Sequence, residues 1–341
     1  MTRALIVHRA GPGVTVQDPG RPGYLAYGLS RGGAADRLAL AEGAALLGQS
    51  DALAVLEMAG IGGEFEVTEA TRIALTGAPM RASVDGTRIA WNACHRLEAG
   101  ARLSIGAAGT GNYGYLHLGG GVALPRRLGG CGTHLSAGLG APLKAADRLE
   151  IRPDTGSRTG MAVAADDRFG GGTVRIVASL QTDLFAAGER ARFEATTFRR
   201  DARGNRMGVR LDPDGPGFES EAGLSVLSEV IVPGDIQITG DGTPFVLLNE
   251  CQTIGGYPRI GSVLPADLPK VVQARAGETL RFSFVSLEEA VAIEARARDA
   301  RKSLRKRLTP LIRDPATIAD LLSYQLVSGV TAGDDLERSE R

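Results

Sequence analysis

The chain has 341 residues, 43% hydrophobic and 23% charged, with 39 Lys and Arg against 39 Asp and Glu. That balance leaves no electrostatic footprint for nucleic acid or an anionic membrane surface. No apolar window approaches the roughly 18 residues of a membrane span, and the opening Met1-Thr-Arg-Ala-Leu-Ile-Val-His8 is too short an apolar run for a secretory signal.

The length points to two domains, since one core rarely grows beyond ~250–300 residues. The 47 glycines show no collagen period and predict many tight turns between short strands. Cys94, Cys131 and Cys251 cannot all pair and match no zinc spacing, so a reducing, cytoplasmic setting is expected.

In chain order, residues 4–7 read as a first strand ended by Gly11-Pro12-Gly13. The chemically densest stretch follows, Thr15-Val-Gln-Asp-Pro-Gly-Arg-Pro-Gly-Tyr-Leu-Ala-Tyr-Gly28. It offers an amide, an anion, a planar five-donor cation and turn-forming Gly and Pro, the makings of a polar ligand cradle. Leu38, Ala41, Ala45 and Leu46 recur at helical spacing and predict a helix over 33–49. Residues 53–58 resume as strand, and short apolar runs between turn residues follow at 64–67, 72–75, 83–84, 87–91, 102–105 and 115–118.

Residues 153–172 are polar, Gly-rich and patternless and read as a linker between a first β domain, 1–152, and a second, 173–285. In the second, strands are expected at 173–179, 193–197, 226–232, 236–239, 244–248 and 280–285. One turn-plus-strand phrase begins at Ala99, Ala145, Pro233 and Ala276, twice in each half, and its period-two alternation marks half-buried antiparallel strands. Ser286-Leu-Glu-Glu289 is a capping-box signature, predicting a helix to about Leu308 with a basic second half. A last helix is expected from Asp314 to about Gln325 before a frayed tail, so that 286–341 form C-terminal helices and tail.

The cradle has a diluted copy, Gln252-Thr-Ile-Gly-Gly-Tyr-Pro-Arg-Ile-Gly261. Both copies read Gln-x-x-Gly and then Gly-Tyr-x-x-x-Gly, and both are followed by an Asp in an apolar run, Asp36 and Asp267. Two related halves, each contributing one loop to a shared cleft, would produce this pattern.

Gly109-Thr-Gly-Asn-Tyr-Gly114 has the glycines of a dinucleotide loop but is followed by a strand, not the helix that mechanism needs. Gly28-Leu-Ser-Arg-Gly32 has the form of a nucleophile elbow, yet the strand–helix alternation of such a sheet is absent. Cys131 has a candidate base three residues on, His134, as an activated thiolate requires, but a loop or strand cysteine packed as a small apolar residue is the favoured reading. The four histidines are scattered, without metal-ligand spacing. Arg206 and Arg210 flank a Gly before a turn and are candidates for clamping a carboxylate or phosphate.

Thr15-Val-Gln-Asp-Pro-Gly-Arg-Pro-Gly-Tyr24, Leu56-Glu57, Gly119-Gly-Gly121, Arg206-Met-Gly208, Ser228-Glu229, Gly234-Asp-Ile-Gln237 and Gln252-Thr-Ile-Gly-Gly-Tyr-Pro258 occur in that order. Together, over about residues 4–290, they resemble the family of the 5-oxoprolinase C subunit, also called allophanate hydrolase subunit 2, KipA-like or biotin-dependent carboxyltransferase. The resemblance implies a mainly β fold of two cyclophilin-like β-barrel domains with a few helices. It implies heteromeric partners, the B and A subunits, of which the first is KipI-like, and a small amide substrate.

The implied chemistry is ATP-driven cleavage of 5-oxo-L-proline to L-glutamate or, alternatively, carboxyl transfer from carboxybiotin to urea. A non-catalytic binding role is the third possibility. Biotin would ride on another protein, as the chain lacks a biotinyl-lysine motif. For either chemistry, Asp18, Arg21 and Arg206 are expected as catalytic residues. Gln17, Tyr24, Gly28, Gln252, Thr253, Gly255, Gly256 and Tyr257 are expected to bind substrate; no metal is expected. The chain departs from the family pattern at Gly129-Gly-Cys-Gly-Thr133, where Gly-Ser-Arg-Ser-Thr is usual, and at 179–181 and 241–244.

Overall fold

A computed structural model describes residues 2–223 and 225–312 of the chain. The helix expected from Asp314 and the tail lie outside these residues.

The fold is mainly β. In the first half, strands Arg148–Glu150, Ala4–Ala10, Gly63–Val67, Arg102–Ala108, Met80–Val84 and Thr87–Ile89 form one antiparallel sheet. Thr15–Gln17, Val55–Ala59, Tyr113–Leu118, Thr71–Gly77, Ala93–Leu97, Met161–Ala162 and Thr309–Pro310 form a second. Leu5, Val7, Phe65, Leu103 and Ile105 of the first sheet and Val16, Leu56, Ile73, Leu75 and Leu116 of the second share one buried cluster.

The strand Thr71–Gly77 is buried along its whole length because both faces are covered. Ile73 and Leu75 point into that cluster. Ala74 joins a separate cluster with Ala45, Leu46 and Leu47 of helix α1 (Arg37–Leu47), and Thr76 Oγ1 donates to Ala39 O at 2.9 Å.

Helix α1 begins later than its apolar spacing predicts. Asp36 accepts from the backbone N–H of Leu38 and Ala39 and so sets the N-terminus there, leaving Gly33–Ala35 as a connecting segment.

In the second half, Gly172–Val177, Arg259–Val263, Asp235–Ile238, Pro244–Leu247, Gly208–Pro213, Phe198–Gly204 and Thr279–Phe284 close into a seven-strand barrel. The parallel pairing of its first and last strands seals the seam. All four repeated turn phrases lead into strands, those at Arg102, Arg148, Asp235 and Thr279.

Two expectations differ. The run at 193–197 ends helix α2 (Ala187–Ala195) instead of forming a strand. Phe193 turns inward onto Phe198, Phe218 and Phe282, with ring centroids 4.8–5.2 Å away; each such pair contributes about 0.5–1.5 kcal/mol beyond burial. Of 226–232, only Glu229–Val230 pairs, with Ile254–Gly255. A short helix α3 (Leu268–Gln273) follows Asp267, and α4 (Leu287–Lys302) carries the expected capping box of Ser286 and Glu289.

The two halves share a core. Ala34, Ala35, Leu40, Val55 and Tyr115 pack in one cluster with Val209, Ile236, Val246 and Val272 of the second half. The segment 153–172 is anchored as it crosses: Asp154 pairs with Arg72 at 2.6 Å, and buried Arg168 reaches Asp36 and Glu42 at 2.8 and 2.7 Å. Among the described residues no helix is long and apolar enough to cross a membrane.

Candidate functional site

A cavity of about 580 Å³ opens between the first stretch and the second half. Pro22–Leu25, Leu29 and α1 form one side; Val232, Pro233, Asn249 and the start of α3 form the other. Apolar walls come from Leu29, Leu40 and Leu268, and the charge comes from Arg21, Arg31, Arg37, Arg301 and Asp51. Partial desolvation, and after it the charges of Arg31 and Arg301, lower the pKa of Arg37.

The first stretch reaches the cavity, but its polar residues work inside the protein. Arg21, 2% exposed, donates Nε to Arg127 O at 2.9 Å and Nη2 to Gly132 O at 2.6 Å and Gly130 O at 3.3 Å. Its Nη1 is buried without a hydrogen-bond partner among the described residues. Asp18 accepts from Gly20 N at 2.8 Å and Cys131 N at 2.7 Å, and from the Cys131 thiol at 3.4 Å.

Asp18 and Arg21 therefore clasp the loop 127–132 through its backbone. The family's usual side chains in that loop are not needed for the clasp. A side chain at Gly132 would meet Asp18 Oδ1 at 2.7 Å, so this loop must be bare there. Burial, and then Asp18, push the Cys131 thiol up to about 11. Gln17 is fully buried and donates to Thr15 Oγ1 at 3.0 Å, out of reach of a ligand. Tyr24 lines the cavity, whereas Gly28 is exposed and does not.

The second stretch does not meet the first in the cavity, and the expected convergence is corrected. None of Gln252, Thr253, Gly255, Gly256 and Tyr257 lines it. Thr253 O and Gly256 O instead accept from Ile231 N and Val226 N, and Gly255 pairs with Glu229, so this loop is tied to residues 226–231. Gln252 and Tyr257 face solvent.

The segment that does cross lies just before it, at Asn249 and Glu250. Gly32 N donates to Asn249 O at 2.8 Å, and Asn249 Nδ2 donates to Ala34 O at 2.6 Å. In the sequence these are the polar residues Asn249-Glu-Cys-Gln252 that close an apolar strand, a place where loop sites tend to form.

Arg206 also crosses the seam, and its expected meeting with substrate charge is corrected. Its guanidinium pairs with buried Glu57, with Glu250 at 2.5 Å, and with the carbonyl of Gly33. Glu57 further accepts from Tyr115 Oη at 2.7 Å and Ala35 N at 2.7 Å. With two carboxylates on one guanidinium, Arg206 is an internal pin and not a free cation. Arg210 parts from it and pairs with Asp212 at 3.0 Å.

Ser30 and His134, which sequence spacing does not connect, meet beside this pin. Ser30 Oγ lies 3.0 Å from His134 Nε2, Ser136 Oγ 3.2 Å from Nδ1, and Glu250 Oε2 3.9 Å from Nδ1. Desolvation lowers the His134 pKa against the pull of Glu250. Both Ser30 and His134 are buried, so this set ties loops across the seam.

A family model described as Carboxyltransferase domain, subdomain A and B, matches residues 27–284. Two curated relatives carry the name of the 5-oxoprolinase C subunit. That of Haemophilus influenzae is 31% identical over 82% of this chain and 90% of its own length. That of Escherichia coli is 33% identical over 84% and 93%. The solved urea carboxylase of Kluyveromyces lactis shares the fold, with a TM-score of 0.81 at 23% identity over 92% of this chain. This chain spans only 31% of that one.

Proposed function

Because the chain belongs to the carboxyltransferase-domain family, subdomain A and B, we propose that it is the C subunit of an ATP-dependent 5-oxoprolinase, cleaving 5-oxo-L-proline to L-glutamate with B and A subunits as partners. The observation that carries this reading is the match to two relatives of that name over 90% and 93% of their length, against 31% of the urea carboxylase chain.

The cavity suits the substrate. Half-buried Arg31 meets the carboxylate and Arg37, at the exposed rim, faces the ring carbonyl, with apolar walls beside them that strengthen both attractions. Asn249, its Nδ2 engaged by Ala34 O, keeps Oδ1 to accept from the lactam N–H. As water adds to the ring carbonyl, negative charge develops on its oxygen, and fixed cations nearby stabilise it. The C–N bond breaks, the water oxygen stays in the new carboxylate, and the ring nitrogen leaves as an amine. Asp18, Arg21 and Arg206 act as positioning residues that hold the walls. The glycine-rich turn at 109–114 opens the strand Tyr113–Leu118 and presents no helix N-terminus to a phosphate, so ATP is not placed there.

Co-expression with the B and A subunits, followed by measurement of phosphate release, tests this. Release that requires 5-oxoproline and all three chains is expected, with loss of most of it in Arg37→Ala. The family description favours a second reading, carboxyl transfer to urea or another small amide from carboxybiotin held on another protein. Carboxyl transfer without 5-oxoproline-dependent release would establish it. A stable complex whose turnover ignores this chain would leave only a binding role.

A further inference from the structure

The cavity holds more positive charge than a lactam monocarboxylate requires. Arg21, Arg31, Arg37 and Arg301 line it against the one carboxylate of Asp51. The buried arginine ion pairs of the described residues engage Arg72, Arg168, Arg206 and Arg259, not these four. Arg21 and Arg31 give N–H groups to carbonyl oxygens, which leaves their charge uncompensated. Arg37 and Asp51 are exposed at the rim, and Arg31 and Arg301 are half-buried; like charges crowded in one cleft repel one another, and a bound anion relieves that repulsion.

Arg301 has a separate origin. It sits in the last turn of α4, beyond residue 284 where the family match ends. Its place is fixed: Leu304 is buried with Leu46 and Leu47 of α1, and Arg305 Nη2 donates to Gln49 O at 3.0 Å. An adjoining groove shares Ala41, Asp51 and Arg301 with the cavity and adds Arg298, Lys302 and Arg305, so the positive wall continues outward.

We infer that the cavity is built for an open-chain amino dicarboxylate, with Arg31 on the side of Arg21 facing one carboxylate, Arg37 and Arg301 facing the other, and Asp51 facing the ammonium. This rests on the reading above, in which lactam and water become a carboxylate and an ammonium: one C–N bond breaks, one C–O bond forms, and the water's protons end on nitrogen. The ring-opened molecule has three charged groups where the lactam has one. Among bound species the cavity would then favour the opened form, and turnover would end on release of that product.

Titration calorimetry of the full chain at low salt tests it, with L-glutamate, glutarate, 5-oxo-L-proline and inorganic phosphate as separate probes. L-Glutamate should bind about tenfold or more tighter than 5-oxoproline. Arg301→Ala should weaken glutamate and glutarate about five- to fiftyfold, with 5-oxoproline changed by less than about twofold and the melting temperature kept. Asp51→Asn should weaken glutamate and spare glutarate.

Equal affinity for glutamate and 5-oxoproline, an Arg301→Ala protein that binds glutamate normally, or phosphate binding tighter than glutarate would each overturn the inference. Binding of 5-oxoproline without glutamate overturns it and leaves the proposed function standing. Binding of neither removes this cavity as the substrate site and takes both readings of it away.

Discussion

Arg21 satisfies carbonyl oxygens of Arg127, Gly130 and Gly132 from within the protein. Arg21→Ala would leave buried acceptors unpaired beside a hole, and should lower stability by about 3 kcal/mol in urea unfolding. Arg21→Lys should recover little, since an ammonium lacks the planar fork that reaches several carbonyls at once. An unchanged urea midpoint in Arg21→Ala would refute the clasp.

A second residue gives a pH dependence. Glu42, Asp36 and Asp166 share the single cation of Arg168. Burial pushes the Glu42 carboxyl up to about 7, with Arg168 opposing and the two acids adding to the rise. The folded chain therefore holds this proton more tightly than the unfolded chain does. That contribution is fully present below about 4.5, is lost as pH rises to about 7, and stays lost above. Melting curves from pH 4.5 to 7.5 should show a decline of roughly 3 kcal/mol that Glu42→Gln removes.

At the scale of elements, α1 is set by its contact with the sheet. A methyl at Gly43 would press on the His117 ring, itself buried and hydrogen-bonded to Thr76 Oγ1 at 2.8 Å. On an exposed helix face Gly→Ala gains about 1 kcal/mol. Here Gly43→Ala should instead cost about 2 kcal/mol, as overpacking does, and a urea midpoint that rises would contradict the packing described.

The strands were largely legible, because alternation such as Phe65 and Val67 inward with Glu64 and Glu66 between them reports one buried face directly. Helix α2 was not: Ala186 gives its first turn no side-chain cap, and Phe193 near the strand that follows reads as β. The glycine-rich stretch lines the cavity with Arg21, Pro22, Gly23, Tyr24 and Leu25. Its polar residues looked like ligand contacts because sequence shows which groups are present and not which backbone carbonyls they meet. Arg301 lies some 280 residues from Arg21 in the chain, and no local pattern brings them together.

For the whole molecule, the shared apolar cluster and the Arg206 pin make the halves one cooperative body. Calorimetric unfolding of the described fold should be a single transition. Arg206→Ala leaves Glu57 and Glu250 facing each other without a cation, and removing one partner of a buried pair typically costs about 3–5 kcal/mol. The transition should then divide into two, or shift down by many degrees. A trace identical to the parent chain would show that the seam is held by apolar packing alone.

Cys131 is half-buried with Asp18 over its sulfur, and burial, followed by that carboxylate, pushes the thiol up to about 11. At physiological pH it remains in the protonated, sluggish form. Iodoacetamide should modify it slowly, and samples kept in air should resist covalent dimerisation without added reductant. Asp18→Asn should quicken alkylation at that sulfur, so the carboxylate that steadies a loop also protects the protein from oxidants.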